Sequence, residues 1–287
     1  MSGSKRARYL LMVSMAVFGT LGLFVRHIPL PAGELALYRA ILAAVLIGGY
    51  LAVTKQGLPL RAIRRELPLL LLSGAAMGLN WILLFTAYQY TTVCIATLSY
   101  YFAPVLVTVA SPLLFRETLT PRQILCFVMS TLGLVLITGV GDGGQGGTDL
   151  IGILFGLGAA VFYASVVLLN KYIRNVDGIH RTFLQFLAAI LVLIPYTAAT
   201  GGVSLHLLDG TGWLCLLVVG LIHTGVTYCL YFSSLKELPG QEAALLSYID
   251  PLVAVLASVL LLGEPISLWQ MAGGALILGF TLWNEHK

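Results

Sequence analysis

The sequence predicts an all-α integral membrane protein, with ten transmembrane helices arranged as two inverted five-helix repeats. Three observations carry this expectation. Of the 287 residues, 59% are hydrophobic and only 10% are charged, whereas a soluble domain carries about 25% charged residues. Ten apolar runs recur along the chain, each near the ~20 residues that span a bilayer core. The second half also repeats part of the first at a fixed offset, Gly78–Gln123 against Gly225–Gln270, without a gap.

In chain order the runs fall near 9–26, 34–53, 68–88, 93–114, 122–139, 150–170, 182–199, 212–233, 241–262 and 268–284. Lys5, Arg6 and Arg8 precede the first run, as in a signal peptide. The run continues to Val25 without a small-x-small cleavage site, so it reads as a retained first helix. The links Tyr90-Thr91-Thr92 and Gly263-Glu264-Pro265-Ile266-Ser267 are short enough to force antiparallel neighbours. Pro104 and Pro251 sit near the middle of the fourth and ninth spans. Each removes one backbone bond and frees the carbonyl four residues earlier, at Tyr100 and Ser247. That describes a static kink or a hinge, and a membrane tolerates either where helices pack or a cavity is wet. Thr120-Pro121-Arg122-Gln123 and Ser267-Leu268-Trp269-Gln270 read as capping boxes that start the fifth and tenth spans. Glu117 and Glu264 are expected to help the same turns.

The basic residues set the orientation. With the N-terminus inside, the inner segments hold Lys5, Arg6, Arg8, Lys55, Arg61, Arg64, Arg65, Arg116, Arg122, Lys171, Arg174, Arg181, Lys236 and Lys287. Only Arg26 and Arg39 remain, while the outer loops carry Asp142, Asp149, Asp209 and Glu264. This is the positive-inside pattern. It places both termini in the cytoplasm of a multi-pass inner-membrane protein with an even number of spans. The net charge of +4 follows from those loops and points to no nucleic-acid partner. Cys94, Cys126, Cys215 and Cys229 show neither metal-ligand nor disulfide spacing and read as small core residues. No metal site and no cofactor motif is found.

Within the repeat Phe85 meets Phe232, Ala96 meets Ala243, Tyr101 meets Tyr248, Pro104 meets Pro251, Glu117 meets Glu264 and Gln123 meets Gln270. A weaker match sets Ala16-Val17-Phe18 against Ala160-Val161-Phe162. Five spans per half is odd, so the second half enters the membrane upside down. Inverted repeats that meet at the midplane are the architecture of secondary transporters. The units are then 1–139, a Gly-rich outer linker at 140–149 that overlaps "GVGDGGQGG" (Gly139–Gly147), and 150–287.

The motifs "P…FRETLTPRQ" (Pro104 to Gln123) and "P…LGEPISLWQ" (Pro251 to Gln270), with "LYRA" around Arg39 and "AVFGT" in the first span, resemble the drug/metabolite transporter superfamily in its ten-helix form with two EamA-type repeats. The likeness covers nearly the whole chain. It implies alternating access through a cavity lined by spans 1, 3, 4, 6, 8 and 9, with spans 5 and 10 peripheral. It also implies a carboxylate before the second-repeat proline, met here by Asp250. The first span has no acidic residue, where the small four-helix multidrug relatives carry an essential glutamate. Their proton-antiport mechanism therefore does not transfer directly.

Asp250 lies about ten residues into its span, near the midplane, where a bare charge costs roughly 2.5–3.5 kcal/mol on insertion scales. It must face protein or water, or keep its proton. Its helical face carries the small residues Ser247, Ala254 and Ala257. It is either a structural carboxyl bonded to a neighbouring helix or an amine counter-ion and proton carrier. The repeat-equivalent residue is Ala103, so such a site is asymmetric. His223 lies at similar depth, as a satisfied core histidine or as half of a proton-binding His–Asp pair. Asn80 and Trp81, opposite Thr227 and Tyr228 in the repeat, join Tyr101, Tyr248, Phe18 and Tyr163 at mid-depth. Aromatics are more usual at the interface, so these are either ordinary packing or the lining of a pocket for an aromatic or cationic solute. Tyr248 and Asp250 are two residues apart, roughly 200° around a helix. They share a cavity only if Pro251 distorts the turn. Arg39 either snorkels outward or holds a carboxylate of substrate or protein, and Arg26 is expected to snorkel.

The sequence therefore points to a gradient-driven secondary transporter, not an enzyme, moving a small polar amine-bearing metabolite of amino-acid type. Export and a functional monomer are expected. The alternatives are a quaternary-amine or multidrug carrier and, in another class, an intramembrane enzyme using Asp250 and His223.

Overall fold

The computed structural model describes residues 3–115, 120–137, 147–176, 178–235, 237–238 and 246–285. Glu117, Arg116, Lys236, Lys287, Ala243 and the linker up to Gly146 lie outside them. The helices are α1 (Gly3–Gly19), α2 (Leu21–Val25), α3 (Ala32–Val53), α4 (Leu60–Tyr90), α5 (Val93–Tyr100), α6 (Ala103–Phe115), α7 (Pro121–Ile137), α8 (Gly147–Tyr172) and α9 (Gly178–Thr200). After these come α10 (Gly210–Leu217), a π-helical segment (Val218–Val226), α11 (Thr227–Leu235), α12 (Ile249–Leu261) and α13 (Leu268–Glu285). Among the described residues, seven helical stretches are long and apolar enough to cross a membrane: Lys5–Val25, Ala32–Val53, Ile63–Tyr90, Val93–Ala110, Asp149–Tyr172, Gly178–Thr200 and Gly210–Tyr231. The shorter apolar helices Pro121–Ile137, Ile249–Leu261 and Leu268–Trp283 fall where the fifth, ninth and tenth runs were read.

Two spans expected to be continuous helices are not. The fourth breaks at Tyr101–Phe102, between α5 and α6, with Pro104 in the first turn of the new segment. A turn interrupts the ninth at Tyr248, and Pro251 lies in the first turn of α12. Proline is tolerated in a first helical turn, where no partner exists for its missing N–H. Both prolines therefore start new segments rather than bend old ones. The eighth span carries the π segment; Thr224 within it and Thr227 just after it donate to carbonyls five residues back, Val219 and Ile222, both at 2.7 Å.

Much of the packing is repeated under exchange of the halves. Offset by 147, α3 corresponds to α9, α4 to α10 through α11, α6 to α12, and α7 to α13, while the counterpart of α5, residues 240–247, lies mostly outside the described residues. The shorter match pairs α1 and α2 with α8. Then α4 packs on α8 as α11 packs on α1, and α4 on α9 as the π segment packs on α3. Likewise α6 packs on α8 as α12 packs on α1. The pairs α3–α9 and α7–α13 join counterparts directly, and α5 packs on α8 and α12. The α7–α13 contact is close because Gly133 faces Gly273. A Cβ on Gly133 would lie 2.6 Å from the Gly273 carbonyl oxygen, the small-residue approach that drives helix association in lipid.

Carboxylates fix the loops at both ends. Glu34 accepts from the Ser204 N–H and hydroxyl, each at 2.7 Å. Glu66 accepts from the backbone N–H of Arg174 and Asn175, both at 3.1 Å, and from the Asn175 amide at 2.8 Å. The two capping boxes form as read. Gln123 Oε1 accepts from Thr120 N at 2.8 Å, and Gln270 Oε1 accepts from Ser267 N at 2.9 Å.

Candidate functional site

A cavity of about 290 Å³ lies where the two halves meet, and nine of its twenty lining residues are aromatic. It gathers Phe18 from α1, Arg39 from α3, Asn80 and Trp81 from α4, Tyr101 from the α5–α6 break, and Tyr163 from α8. The second half adds Tyr228 from α11, Tyr248 from the turn before α12, and Asp250 from its first turn. Pro104 lines it as well, but Pro251 and His223 do not.

The lining follows the repeat. Offset by 147, Trp81 and Tyr228, Leu84 and Tyr231, Tyr100 and Ser247, Tyr101 and Tyr248, and Ala103 and Asp250 all face the same space. Both helix breaks therefore open onto the cavity, a setting in which non-helical backbone at membrane depth is tolerated. The break at Tyr248 also removes the obstacle of the 200° offset, so Tyr248 and Asp250 share the space.

The Asp250 carboxylate accepts a 2.6 Å hydrogen bond from the Tyr101 hydroxyl, which ties the two breaks together. Its other oxygen, Oδ1, has no protein donor among the described residues. Gly19, at the end of α1, permits this placement. A Cβ there would lie 2.5 Å from the Asp250 carbonyl oxygen. Arg39 is 3% exposed. It does not snorkel, and no protein carboxylate among the described residues pairs with it. Its Nε donates to Thr224 Oγ1 at 2.6 Å, and its guanidinium carbon lies 4.8 Å from the Trp81 ring centre and 5.4 Å from that of Phe85. The terminal guanidinium nitrogens make no hydrogen bond among the described residues. Trp81 is held in turn by Phe186, their ring centres 5.4 Å apart. Asn80 donates to the Ala159 carbonyl at 2.7 Å and so joins α4 to α8.

The expected His223–Asp250 pair is not formed. The His223 ring lies 3.0 Å from Thr20 Oγ1 through Nε2 and 3.3 Å from the Val218 carbonyl oxygen through Nδ1, and packs on Phe24. The π register turns it toward the α1–α2 junction and presents its neighbour, Thr224, to Arg39. Arg26 is exposed at the end of α2 and is paired there. It bonds Glu264 at 2.8 Å and the Thr91 carbonyl at 2.6 Å. Glu264 reaches further than its own turn, accepting from Val93 N at 2.8 Å and from the Ser258 hydroxyl.

Sequence reasoning missed Tyr88, Tyr100, Tyr231 and Ser247, all of which line the cavity. In the sequence Ser247 reads only as a small neighbour on the face of Asp250, but the repeat offset links it to Tyr100, and Tyr231 lies three residues past Tyr228, so these positions do carry a signal. Tyr88 has no such signal, because it lies at the end of α4, where a tyrosine reads as an interface anchor.

The model of the EamA-like transporter family matches the chain twice, at residues 6–139 and 150–284. The uncharacterized transporter YxxF of Bacillus subtilis is 32% identical over 93% of this chain and 85% of its own length. An uncharacterized transporter of Archaeoglobus fulgidus is 30% identical over 96% and 95%. The uncharacterized inner membrane transporter YhbE of Escherichia coli K12 is 29% identical over 78% and 70%. One solved crystal structure superposes with a TM-score of 0.68 over 96% of both chains at 18% identity, which speaks to the fold. These relatives are transporters, so the alternative of an intramembrane enzyme falls, as the separation of His223 from Asp250 also requires.

Proposed function

The chain belongs to the EamA-like transporter family, and on that premise we propose that it carries a zwitterionic, amino-acid-like amine across the inner membrane by alternating access. Ten spans in two inverted halves, with both termini cytoplasmic, would rock about the central cavity, driven by a gradient and working as an exporter. The repeat-related packing supports the two-fold rocking, because contacts of α3, α4 and α6 in one half have counterparts in the other. Both repeats come from one chain, which supports a functional monomer.

One observation carries the substrate class. A buried guanidinium and a carboxylate line the same aromatic cavity without pairing with each other. A buried charge is costly when unpaired, so a ligand bearing both signs satisfies both residues at once. Arg39 would take the substrate carboxylate through its free terminal nitrogens, and Asp250 would take the ammonium through Oδ1. Tyr101 holds the carboxylate in place, and the surrounding rings favour the cationic end.

Thermal unfolding of the purified protein with amino acids, quaternary amines, sugars and carboxylates tests this. Ligand at a hundred times its Kd adds about 2.7 kcal/mol to stability. Amino acids are expected to stabilise the wild type, and Asp250→Asn is expected to abolish most of that shift. Equal stabilisation by quaternary amines lacking a carboxylate, unchanged in Arg39→Gln, would instead favour the quaternary-amine or multidrug carrier.

A further inference from the structure

A second cavity of about 410 Å³ lies beyond the first, lined by Arg26, Pro29, Leu30, Phe85 and Gln89 among others. Tyr88 lines both cavities and is itself 6% exposed. We infer that Tyr88 is the gate between the central cavity and this vestibule, and that the Arg26–Glu264 pair latches it. The inference rests on the reading above, that solute passes through the central cavity.

The mechanics follow from α5. Tyr88, on α4, has its hydroxyl 3.5 Å from the Thr97 hydroxyl on α5, and Thr97 also lines the central cavity. Widening that gap requires α5 to move away from α4. With only eight residues, α5 is bounded by Thr91-Thr92 on one side and by the Tyr101–Phe102 break on the other, so it can swing as a unit. Its first turn is tied down. Glu264 accepts from Val93 N, one helical turn before Thr97, while Arg26 holds both Glu264 and the Thr91 carbonyl. Ser258, bonded to Glu264, also accepts from Cys94 N at 3.2 Å. Opening therefore requires the ring to leave its seat and the latch to release the start of α5.

The test reads access without substrate. A cysteine placed in the central cavity, Ala254→Cys, is exposed to a membrane-impermeant methanethiosulfonate added from one side of sealed vesicles. Labelling of the parent, with its four natural cysteines, is subtracted. Gln89→Cys in the vestibule identifies the correct side and shows that each variant is folded and inserted. Tyr88→Ala is expected to raise the labelling rate of the cavity cysteine about tenfold or more, a step of one power of ten in the opening equilibrium. Glu264→Gln is expected to act in the same direction through the latch, and Tyr88→Phe, which keeps the ring, should stay near the parent rate. Rates unchanged by both Tyr88→Ala and Glu264→Gln overturn the gate, while wild-type transport, if measured, would stand. A gate that opens in these variants, in a protein that moves no solute tested, leaves the gate intact and counts against the transport reading.

Discussion

The two halves of the molecule share a scaffold and differ in chemistry. Repeat-related positions face the cavity in both, and both carry a helix break that opens onto it. The charges of the cavity do not obey the exchange. The acid Asp250 has Ala103 as its counterpart, and the buried cation Arg39 has Phe186, 147 residues on. Backbone also diverges, since α4 runs as one uninterrupted helix while its counterpart carries the π segment that delivers Thr224 to Arg39. The repeats share the helix breaks, whereas one half carries the cation and the other the acid. A symmetric site would hold a symmetric ligand in either sense. On the proposed reading, this one would orient a two-ended ligand across the interface between the halves.

The most severe way to break the comparison is to move the carboxylate. Asp250→Ala leaves the ammonium of an amino acid without its counter-ion, a loss of about 2–5 kcal/mol for a desolvated charge pair. That corresponds to a fall in affinity of about thirtyfold to several thousandfold, read by ligand-induced thermal shift or flux. Adding Ala103→Asp restores a carboxylate at the equivalent position on the other side of the cavity. If the scaffold is symmetric and only the charges are not, the double variant regains part of the lost affinity. No recovery would mean that the Tyr101 bond, which only Asp250 makes, is as necessary as the charge.

A smaller effect separates the π segment from its neighbours. Thr224→Val removes the oxygen that accepts from Arg39 Nε and is expected to weaken amino-acid binding by about 1.5–3 kcal/mol, the range for a hydrogen bond to a charged group. Thr227→Val, at the position equivalent to Asn80, removes only the bond to the Ile222 carbonyl. It is expected to leave affinity within about threefold, near the lower limit for a single neutral hydrogen bond. Comparable losses in both variants would show that the segment's shape, not its delivery of Thr224, supports the site.

Much of this was legible in the sequence, and the reasons are specific. Apolar run length found the helices, the repeat offset found which positions face each other, and the prolines marked both breaks. Nine of the ten candidate site residues line the cavity because mid-depth polar and aromatic residues have few other places to go in lipid. His223 escaped because its azimuth is set by the π register, which moves residues about one position from where an α-helix would put them. Neither Gly220 and Gly225 nor the threonines announce that register. The Arg26–Glu264 pair escaped because its partners are 238 residues apart and belong to no shared motif. Nothing in a single sequence fixes which loop ends meet.

The smallest expected effect tests the symmetric part of the comparison. The capping boxes at the starts of α7 and α13 have nearly the same geometry. Gln123 N donates to Thr120 Oγ1 at 3.3 Å, and Gln270 N donates to Ser267 Oγ at 3.2 Å. Thr120→Ala and Ser267→Ala should therefore each cost about 1 kcal/mol of stability, the usual loss for an N-cap. The Ser267 box is partly buried, whereas the Thr120 box is exposed. The loss at Ser267 should thus be the larger, because water replaces the missing acceptor less readily there. The caps begin the two peripheral helices that pack on each other through Gly133 and Gly273, away from the cavity lining. Ligand-induced shifts should survive both changes, and the double variant should lose the sum of the two. Thermal unfolding of the four proteins with and without ligand measures all of this. A cap substitution that reduced the ligand shift would couple the peripheral pair to the site, and the division between a shared scaffold and a divided site would fail.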